Sequence, residues 1–374
     1  MGCQEACTQN PRLFMGEGRV RASASDSLSC ERERAGGEGL RLLPPCPRLA
    51  RGLGWGPLLS DSLSCERERA GVRAASSAPP PYTDPTQQQG PNVLLHLRDR
   101  VIDVTDRTAI MGILNVSDDS PVAFSRVSVQ AARDRAVELA RQGAEIIDIG
   151  AHSTRSNGRD LTPDEEAARV VPVIEAAVAE GLLTSVDTWT PSVARAAAEA
   201  GVHLLNDVTG FSDPAMLDVA SEYGLPGCVM HMRGRPKHHR EVSQDYEDVN
   251  LEVRDFLLER AAALRAAGVT PWLDPGFAFG KSAADNAALL AGLPALIAEG
   301  YPVLISASRK GFLAELMGKG DTQDAPGLLE ATIAFNVLAA AAGVHVVRVH
   351  DVQPMADALA VVNAIRREAA RGER

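Results

Sequence analysis

The chain has 374 residues, of which 45% are hydrophobic and 23% charged, and its formal net charge at pH 7 is −11. This composition is typical of a globular protein, and the acidic balance argues against a general nucleic-acid binder. No run of about 20 apolar residues occurs, so we expect no transmembrane helix. The length allows one large domain or two small ones.

The first 92 residues differ in composition from the rest of the chain. The segment SDSLSCERERAG occurs at 25–36 and again at 60–71, within sequence rich in Pro, Gly, Ser and Arg. Two copies are too few for a repeat fold, and periodicity is weak, so we predict a disordered extension over 1–92. The glutamates of the repeats argue against a transit peptide. Alternatively, translation starts nearer Val93 and part of this segment is upstream sequence.

Cysteine usage also divides the chain. Five of the six cysteines lie in the first 90 residues, and only Cys228 remains in the rest. A single thiol cannot build a disulfide framework, and its use fits a reducing compartment. We therefore expect a cytoplasmic protein.

From residue 93 onward, strand and helix patterns alternate. VLLHLR at 93–98 and VIDV at 101–104 predict a short hairpin. Eight apolar runs follow, and they are IMGILN, EIIDIG, LLTSVD, VHLLND, GCVMH, TPWLD, VLISAS and VHVVRVH. Helical patterns separate them; the first begins near Val129 and ends at Gly143, and the later ones span 164–180, 191–200, 213–223, 246–267, 283–299, 327–342 and 354–369.

Eight strand–helix units predict a (β/α)8 TIM barrel over residues 93–370, since this fold takes about 250 residues. An open doubly wound sheet is the competing fold. Its usual glycine fingerprint after the first strand is missing here.

Polar residues at the ends of these strands are the candidate site residues, because active sites of this barrel lie at the carboxyl ends of the strands. They are Asn115, Asp148, Asp187, Asn206, Asp274, Lys310, Arg348 and His350. Any one of the Asp or Asn residues is explained equally well as a helix cap. Capping does not explain a lysine, an arginine and a histidine at the same rim.

Part of this set suits a flat heterocycle with many N–H donors. The side chains of Asp187, Asn206 and Asp274 accept hydrogen bonds from ring N–H and amino groups, and Lys310 donates one. The sequence therefore predicts a heterocycle site at these four strand ends.

The remaining residues suit a phosphorylated ligand. Arg348 and His350 are two positions apart, so they face the same side of one strand, and with Arg155 they form a local cationic set. Asn115 offers a hard oxygen to Mg²⁺, which usually binds few protein ligands beside phosphate oxygens.

Two further motifs are expected to have no such role. GFAFGKS at 276–282 resembles a phosphate-binding loop but has three residues, not four, before its GK pair, and Pro275 stands where the glycine belongs. His231, His238 and His239 lie in one basic stretch without carboxylate or cysteine partners at ligand spacing, so we expect surface histidines there.

Nine motifs in order resemble the dihydropteroate synthase family of pterin-binding barrels. They are MGILNV at 111–116, DIG at 148–150, STR at 153–155, SVDT at 185–188, NDVTG at 206–210, MHMRG at 230–234, LDPGFAFGK at 273–281, SRKGF at 308–312 and RVHDV at 348–352. The resemblance covers about residues 93–368. It implies condensation of a dihydropterin methyl diphosphate with 4-aminobenzoate, giving dihydropteroate and diphosphate, with no nucleic-acid or membrane partner.

The resemblance also implies site residues. The substrate-binding set is Asp148, Thr154, Arg155, Asp187, Asn206, Asp274, Phe279, Lys310, Arg348, Val349 and His350. Within it, the catalytic residues are Asp187, Lys310, Arg348 and His350. The implied cofactor is Mg²⁺ bound by Asn115, and the family implies a homodimer.

The sequence departs from the family pattern in two loops, over 116–125 and 151–158. His152 stands where the family usually has Glu, and Ser306, before SRK, replaces a usual Gly. Both loops are expected to close on aminobenzoate. Two alternatives follow: a paralogue that binds the pterin diphosphate but uses another amine or none, and a pterin-dependent methyltransferase. The methyltransferase has no diphosphate to hold, so Lys310, Arg348 and His350 argue against it.

Overall fold

The computed structural model describes residues 93–116, 129–152 and 160–372. Strands and helices alternate through this part of the chain. The strands are β1 (Leu94–His96), β2 (Val101–Asp103), β3 (Ala109–Asn115), β4 (Ile146–Gly150), β5 (Leu183–Asp187), β6 (Leu204–Asp207), β7 (Gly227–Met230), β8 (Pro271–Asp274), β9 (Leu304–Ile305) and β10 (Val346–Val349).

The helices lie between and after these strands. They are α1 (Val129–Arg141), α2 (Pro163–Ala179), α3 (Pro191–Glu199), α4 (Pro214–Tyr223), α5 (Val249–Ala266), α6 (Ala283–Ile297), α7 (Gly311–Leu316), α8 (Leu328–Ala341) and α9 (Val352–Gly372). The sequence patterns located every one except α7, which has only six residues and is too short to show helical periodicity. Among these helices, none is long and apolar enough to cross a membrane.

The eight main strands form one parallel sheet in the order β8-β7-β6-β5-β4-β3-β10-β9. Its two edges meet where Leu273 of β8 forms a parallel bridge with Val303, just before β9. The amide of Leu273 donates to the carbonyl of Pro302 at 2.8 Å. The predicted (β/α)8 barrel is therefore confirmed.

Local signals explain where the helices begin. Thr162 caps α2, since its side chain accepts from the Glu165 amide and the Glu165 carboxylate accepts from the Thr162 amide. Ser282 and Asp285 form the same reciprocal box at the start of α6. Each cap satisfies backbone amides of the first helical turn and so fixes where the helix begins.

Alternation along the strands creates two different interiors. Outward residues such as Ile147 and Ile149 pack with the helices in the large outer core. Inward residues near the strand starts are apolar and include Ile146 and Leu204. Inward residues near the strand ends are polar, as Asp148 illustrates. The polar site thus sits above an apolar floor.

The predicted hairpin is confirmed and closes the floor of the barrel. Strands β1 and β2 pair antiparallel, with Leu95 opposite Ile102. The hairpin residues Leu95, Leu97, Ile102 and Val104 form one buried cluster with Met111, Ile146, Leu204, Cys228, Trp272, Leu304 and Val346 from the barrel. Cys228 is a buried free thiol within this cluster.

A buried histidine also lies at this end of the barrel. The Nδ1 atom of His345 accepts from the Val303 amide at 2.9 Å, directly before β10. Burial lowers the pKa of His345 to about 4, and nearby Arg366 acts in the same direction. The imidazole is therefore neutral in the folded protein at neutral pH.

We predict that His345 makes the free energy of unfolding fall with decreasing pH. Between about pH 6.5 and 4, His345 is protonated in the unfolded chain but remains neutral in the folded protein. The free energy of unfolding that this histidine contributes above the range is therefore lost as the pH falls through it. In His345→Gln, whose amide oxygen still accepts from Val303, the loss should be smaller by up to about 3 kcal/mol.

Urea unfolding at neutral pH and at about pH 4.5 measures this difference. His96→Gln on the exposed side of β1 is the matched control and should behave as the unmodified protein does. The same pH dependence in all three proteins would contradict the assignment.

Candidate functional site

A buried ion-pair cluster occupies the polar end of the barrel. Arg348 of β10 donates from Nε to Asp148 Oδ2 at 2.5 Å and from Nη2 to Asp187 Oδ2 at 2.7 Å. Asp148 is 0% exposed and Arg348 retains 14% side-chain exposure. Burial lowers the pKa of Arg348, but the two carboxylates outweigh it and raise the pKa, so the guanidinium stays charged. One arginine thus links β10 to β4 and β5.

Several polar atoms beside this cluster have no hydrogen-bond partner. Among the described residues, Asp148 Oδ1, Asp187 Oδ1 and Ser185 Oγ are buried and unpaired. Burial raises the pKa of Asp187 to about 7, although Arg348 opposes the shift. Buried unpaired acceptors are costly unless a ligand satisfies them, so these atoms indicate a binding site.

Asn206 and Asp274 extend the site along neighbouring strands. Asn206 pairs in register with Asp187 and donates from Nδ2 to Asp148 Oδ2 at 3.3 Å. Asp274, 3% exposed, accepts from the Gly276 amide at 2.7 Å. Burial raises the pKa of Asp274, with Lys310 opposing it. The structure therefore brings the predicted acceptors together.

Lys310 lies at the end of the loop after β9. Its Nζ donates to the Phe277 carbonyl at 2.8 Å and lies 4.4 Å from the centre of the Phe279 ring. Burial lowers the pKa of Lys310 to about 8, and Asp274 opposes the shift. The amine thus remains largely protonated at neutral pH, between an aromatic ring and a carboxylate.

A small apolar wall stands beside these polar groups. Val208, Met230 and Met232 form a buried cluster against which Trp189 and Phe279 pack. The wall offers a flat ligand an apolar face, which most small-molecule sites have beside a few polar groups.

The charge of His350 differs from the one expected from the sequence. Its Nδ1 lies 3.0 Å from Ser308 Oγ. Burial lowers the pKa of His350 to about 3, and Arg348, Arg309 and Lys310 add to the shift. The prediction of a cationic His350 is therefore wrong for the ligand-free protein, because three neighbouring cations and burial disfavour its protonation. It faces the site as a neutral imidazole.

Residues next to the predicted ones hold them in place. Arg309 forms a two-pronged ion pair with Asp351, at 2.6 and 2.9 Å. Arg309 precedes Lys310 and has a φ of 53°, which is strained for a residue with a Cβ. Since Asp351 follows His350, the pair ties the two site-bearing segments together. Sequence reasoning missed this pair, although both residues lie within quoted motifs.

A second missed residue is Glu166 of α2, which is 1% exposed. It accepts from Thr188 Oγ1 at 2.7 Å and from Thr190 Oγ1 at 3.3 Å, and so anchors the chain after Asp187. His152 lies 3.5 Å from this carboxylate, and its ring centre is 4.6 Å from that of Trp189. The His for Glu replacement thus sets an imidazole, rather than a second carboxylate, beside Glu166.

The motif set aside as a false phosphate loop contains a buried lysine. Lys281 is 7% exposed, and burial lowers its pKa to about 7 against the opposing effect of Asp274. The nearby His231 was expected at the surface, and that prediction is wrong. It is 2% exposed and packs edge-on against Phe256, and burial lowers its pKa to about 3. His238, by contrast, is exposed.

The other predicted site residues have different positions. Asn115 is half-buried at the end of β3, in register with Gly150 of β4. Val349 is 1% exposed and its side chain packs in the outer core, so only its backbone is available to a ligand. Thr154 and Arg155, and most of the altered loops, lie outside the described residues. Within the described ranges, no three His, Cys, Asp or Glu side chains group to hold a metal ion.

Fold and site together define a (β/α)8-barrel protein with a polar ligand site at the carboxyl ends of its strands. A model of the pterin binding enzyme family matches residues 111–350. Dihydropteroate synthase of Escherichia coli K12 is 39% identical over 263 residues, covering 68% of this chain and 90% of the relative. The enzyme of Neisseria meningitidis serogroup C is 40% identical over 271 residues, covering 70% and 93%.

Solved structures agree with these relatives. Dihydropteroate synthase of Xanthomonas albilineans with 4-aminobenzoic acid is 40% identical, with a TM-score of 0.67, covering 74% of this chain and 99% of that one. The Yersinia pestis enzyme with a sulfonamide drug complex is 36% identical, with a TM-score of 0.67, and the match covers 73% of this chain and 99% of that one. The chain belongs to the dihydropteroate synthase family of pterin-binding enzymes, and it is a transferase.

We predict that Arg348→Gln destabilises the ligand-free protein in a pH-dependent way. Without the guanidinium, Asp148 and Asp187 are buried without a counter-charge, which costs about 3 kcal/mol when both are ionised. The folded variant should bind protons more tightly than the unfolded chain, so its stability should rise as pH falls toward about 5.

Urea unfolding at about pH 8 and about pH 5.5 tests this prediction. The control is Arg107→Gln, which breaks a partly exposed pair with Glu145 and should cost at most about 1 kcal/mol at either pH. If the two variants lose the same free energy, the buried cluster does not have the assigned role.

Proposed function

We propose that this chain condenses (7,8-dihydropterin-6-yl)methyl diphosphate with 4-aminobenzoate, releasing dihydropteroate and diphosphate. The observation that carries the proposal is the joint placement, at the strand ends, of four groups suited to a pterin ring and of a charged arginine beside them. Membership in the dihydropteroate synthase family supports the same reaction.

In this proposal the pterin ring lies among Asp187, Asn206, Asp274 and Lys310. The two carboxylates accept from the ring N–H and amino groups, and Lys310 donates to a ring nitrogen or oxygen. The unpaired Asp187 Oδ1 is one such acceptor. Asp148 stays behind this layer, since Arg348 and Asn206 already engage its Oδ2.

The diphosphate lies toward Arg348 and His350, and Thr154 adds a further contact by family resemblance. Neutral His350 donates or accepts a hydrogen bond there, and a bound dianionic group would favour its protonation. Asn115 is the residue that would hold Mg²⁺. One half-buried amide oxygen fits an ion that takes most of its ligands from phosphate and water. Bound Mg²⁺ would supply positive charge to the leaving diphosphate.

The residues suit a step in which diphosphate leaves before the amine attacks. Departure from a carbon attached to an electron-rich pterin leaves a delocalised cation. Asp187 and Asp274 lie where they stabilise that cation, and Arg348 stabilises the departing anion. This step requires no protein nucleophile, so the site needs positioned charges and acceptors rather than an activated side chain.

The second substrate is assigned to the side of the site where Phe279 lies, and the resemblance to the family adds Arg155 to its contacts. A specific observation supports the other-amine alternative: His152, in place of the family's Glu, lies against Trp189 with its ring tilted by 32°. An altered wall of this kind changes which aromatic amine fits. We retain 4-aminobenzoate as the proposed amine because the relatives and neighbours are dihydropteroate synthases.

The experiment uses the full chain with Mg²⁺ and the pterin diphosphate, with and without 4-aminobenzoate. Diphosphate release and the mass of the product are followed. Dihydropteroate formed only with 4-aminobenzoate supports the proposal. Tight binding of the pterin diphosphate without dihydropteroate rejects 4-aminobenzoate as the substrate and favours the paralogue.

Lys310→Ala should lower kcat/KM for the pterin diphosphate, because it removes a charge-assisted hydrogen bond to the ring. The expected loss of transition-state stabilisation, calculated from the ratio of kcat/KM values, is about 1.5–3 kcal/mol. Lys319→Ala is the matched control, since Lys319 is exposed and donates to the Pro326 carbonyl at the surface. Unchanged kinetics in Lys310→Ala would contradict the assignment of the pterin site.

We also propose a cytoplasmic homodimer. Helix α8 is mostly apolar, with Glu330 as its one charged residue, yet Leu338 is 60% exposed. The adjacent helix α9 exposes Val361 by 60% and Ile365 by 64%. Exposed apolar side chains on neighbouring helices are typical of subunit interfaces, and twofold dimers are the commonest oligomers.

Sedimentation velocity tests the dimer. The unmodified protein should sediment as a dimer and Leu338→Glu as a folded monomer, while Leu251→Glu, at a position of α5 that is 48% exposed, should remain dimeric. A monomeric unmodified protein would contradict this part of the proposal.

A further inference from the structure

The loop between β8 and α6 contains three residues with left-handed backbone. Gly276, Ala278 and Gly280 have φ values of 68°, 70° and 64°. The two glycines adopt such values freely, but Ala278 has a Cβ, for which this region is unfavourable. Contacts made by the loop, rather than local preference, must therefore hold Ala278 in this conformation.

The main contact is made by the buried side-chain nitrogen of Lys281, which lies at the centre of the loop. Lys281 Nζ lies 2.9 Å from the Gly276 carbonyl and 3.3 Å from the Phe279 carbonyl. It lies 3.3 Å from the His231 carbonyl, directly after β7. An ammonium group has three N–H donors, so three converging carbonyls match it. The lysine thus closes the loop on itself and fastens it to the neighbouring strand.

Two further contacts hold the loop, one with Asn286 and one between Gly276 and the chain after β7. Asn286 of α6 is 0% exposed; its Oδ1 accepts from the Ala278 amide at 2.8 Å, and its Nδ2 donates to the Lys281 carbonyl at 3.1 Å. A Cβ on Gly276 would lie 2.0 Å from the His231 carbonyl oxygen, so only glycine allows this approach.

The loop presents three parts of the pterin site. Its Gly276 amide donates to Asp274, its Phe277 carbonyl accepts from Lys310, and its Phe279 ring lies beneath the Lys310 amine. A shift of the loop moves all three at once. We propose that Lys281 is a positioning residue, whose buried side-chain nitrogen, held by three carbonyls, fixes this loop in the conformation that binds the pterin diphosphate.

This inference rests on the proposed function for its ligand and assigns Lys281 a role unlike that of a phosphate-binding loop. The glycine–lysine pair resembles such a loop in sequence, but here the ammonium binds protein carbonyls instead of phosphates. Lys281 is therefore not a catalytic residue and acts on the ligand only through the loop.

The test compares Lys281→Met with Lys319→Met by two measurements. Hydrogen exchange of the ligand-free full chain reports on the loop, and calorimetric titration with the pterin diphosphate and Mg²⁺, without amine, reports on binding. In Lys281→Met, exchange should accelerate within 274–281, and binding should weaken by about tenfold or more. Lys319→Met should change neither, because its amine contacts one surface carbonyl.

Chemical rescue separates positioning from packing. Lys281→Ala leaves a space that n-propylammonium matches in length and charge, whereas 1-propanol matches it in length alone. Propylammonium should restore slow exchange in the loop and tighter binding of the pterin diphosphate, and propanol should restore neither.

Several results would overturn the proposal. Unchanged exchange and binding in Lys281→Met would do so, and so would acceleration spread over the whole barrel without rescue by propylammonium. If Lys281→Met does not fold, Lys281→Ala with propylammonium carries the comparison, and failure of both to fold makes the lysine a requirement of the fold instead. If the unmodified protein does not bind the pterin diphosphate, the proposed function fails, while the exchange measurement still decides the role of Lys281.

Discussion

The site depends on one buried interaction, in which Arg348 bridges Asp148 and Asp187 inside the barrel. Removing an arginine and two carboxyl groups from water is costly, so the geometry of the bridge must be good for the barrel to tolerate it. The bridge links β10, β4 and β5, and it leaves one oxygen of each carboxylate unpaired. The same cluster therefore constrains the barrel structure and offers unpaired hydrogen-bond acceptors to a ligand.

Two layers of anchoring surround this cluster. The Arg309–Asp351 pair fixes the neighbours of Lys310 and His350, and Glu166 fixes the chain after Asp187. The hairpin seals the opposite end with apolar side chains, so that water reaches the barrel interior from one side. A rigid, low-dielectric site of this kind makes each charge count for more than it would in water, both for folding and for charge that develops in a reaction.

The architecture follows closely from the sequence, because period-two and period-3.6 patterns report directly which face of each element is buried. Strand ends at Asn115, Asp187 and Asp274 were locatable for this reason, and the barrel topology then placed them at one rim. Helix α7 was not predicted, since one and a half turns carry too little periodic signal.

The charge states and contacts of individual site residues could not be predicted from the sequence. The residue types at 348 and 350 predict two cations, but mutual repulsion and burial leave His350 neutral. The burial of His231 depends on packing against Phe256, some 25 residues away in sequence, which no local pattern reports. The motif that contains Lys281 was set aside as a false phosphate-binding loop, and only the convergence of three carbonyls on its Nζ shows the partners of the lysine. Such contacts are set by tertiary structure rather than by spacing.

We propose that a pterin diphosphate binds at the Arg348 cluster. The most direct test is a crystal structure of the full chain with Mg²⁺ and a non-hydrolysable analogue of the pterin diphosphate. We expect the pterin ring among Asp187, Asn206, Asp274 and Lys310, with the diphosphate toward Arg348. An analogue bound elsewhere on the barrel, or a ring held without contact to these four residues, would contradict it.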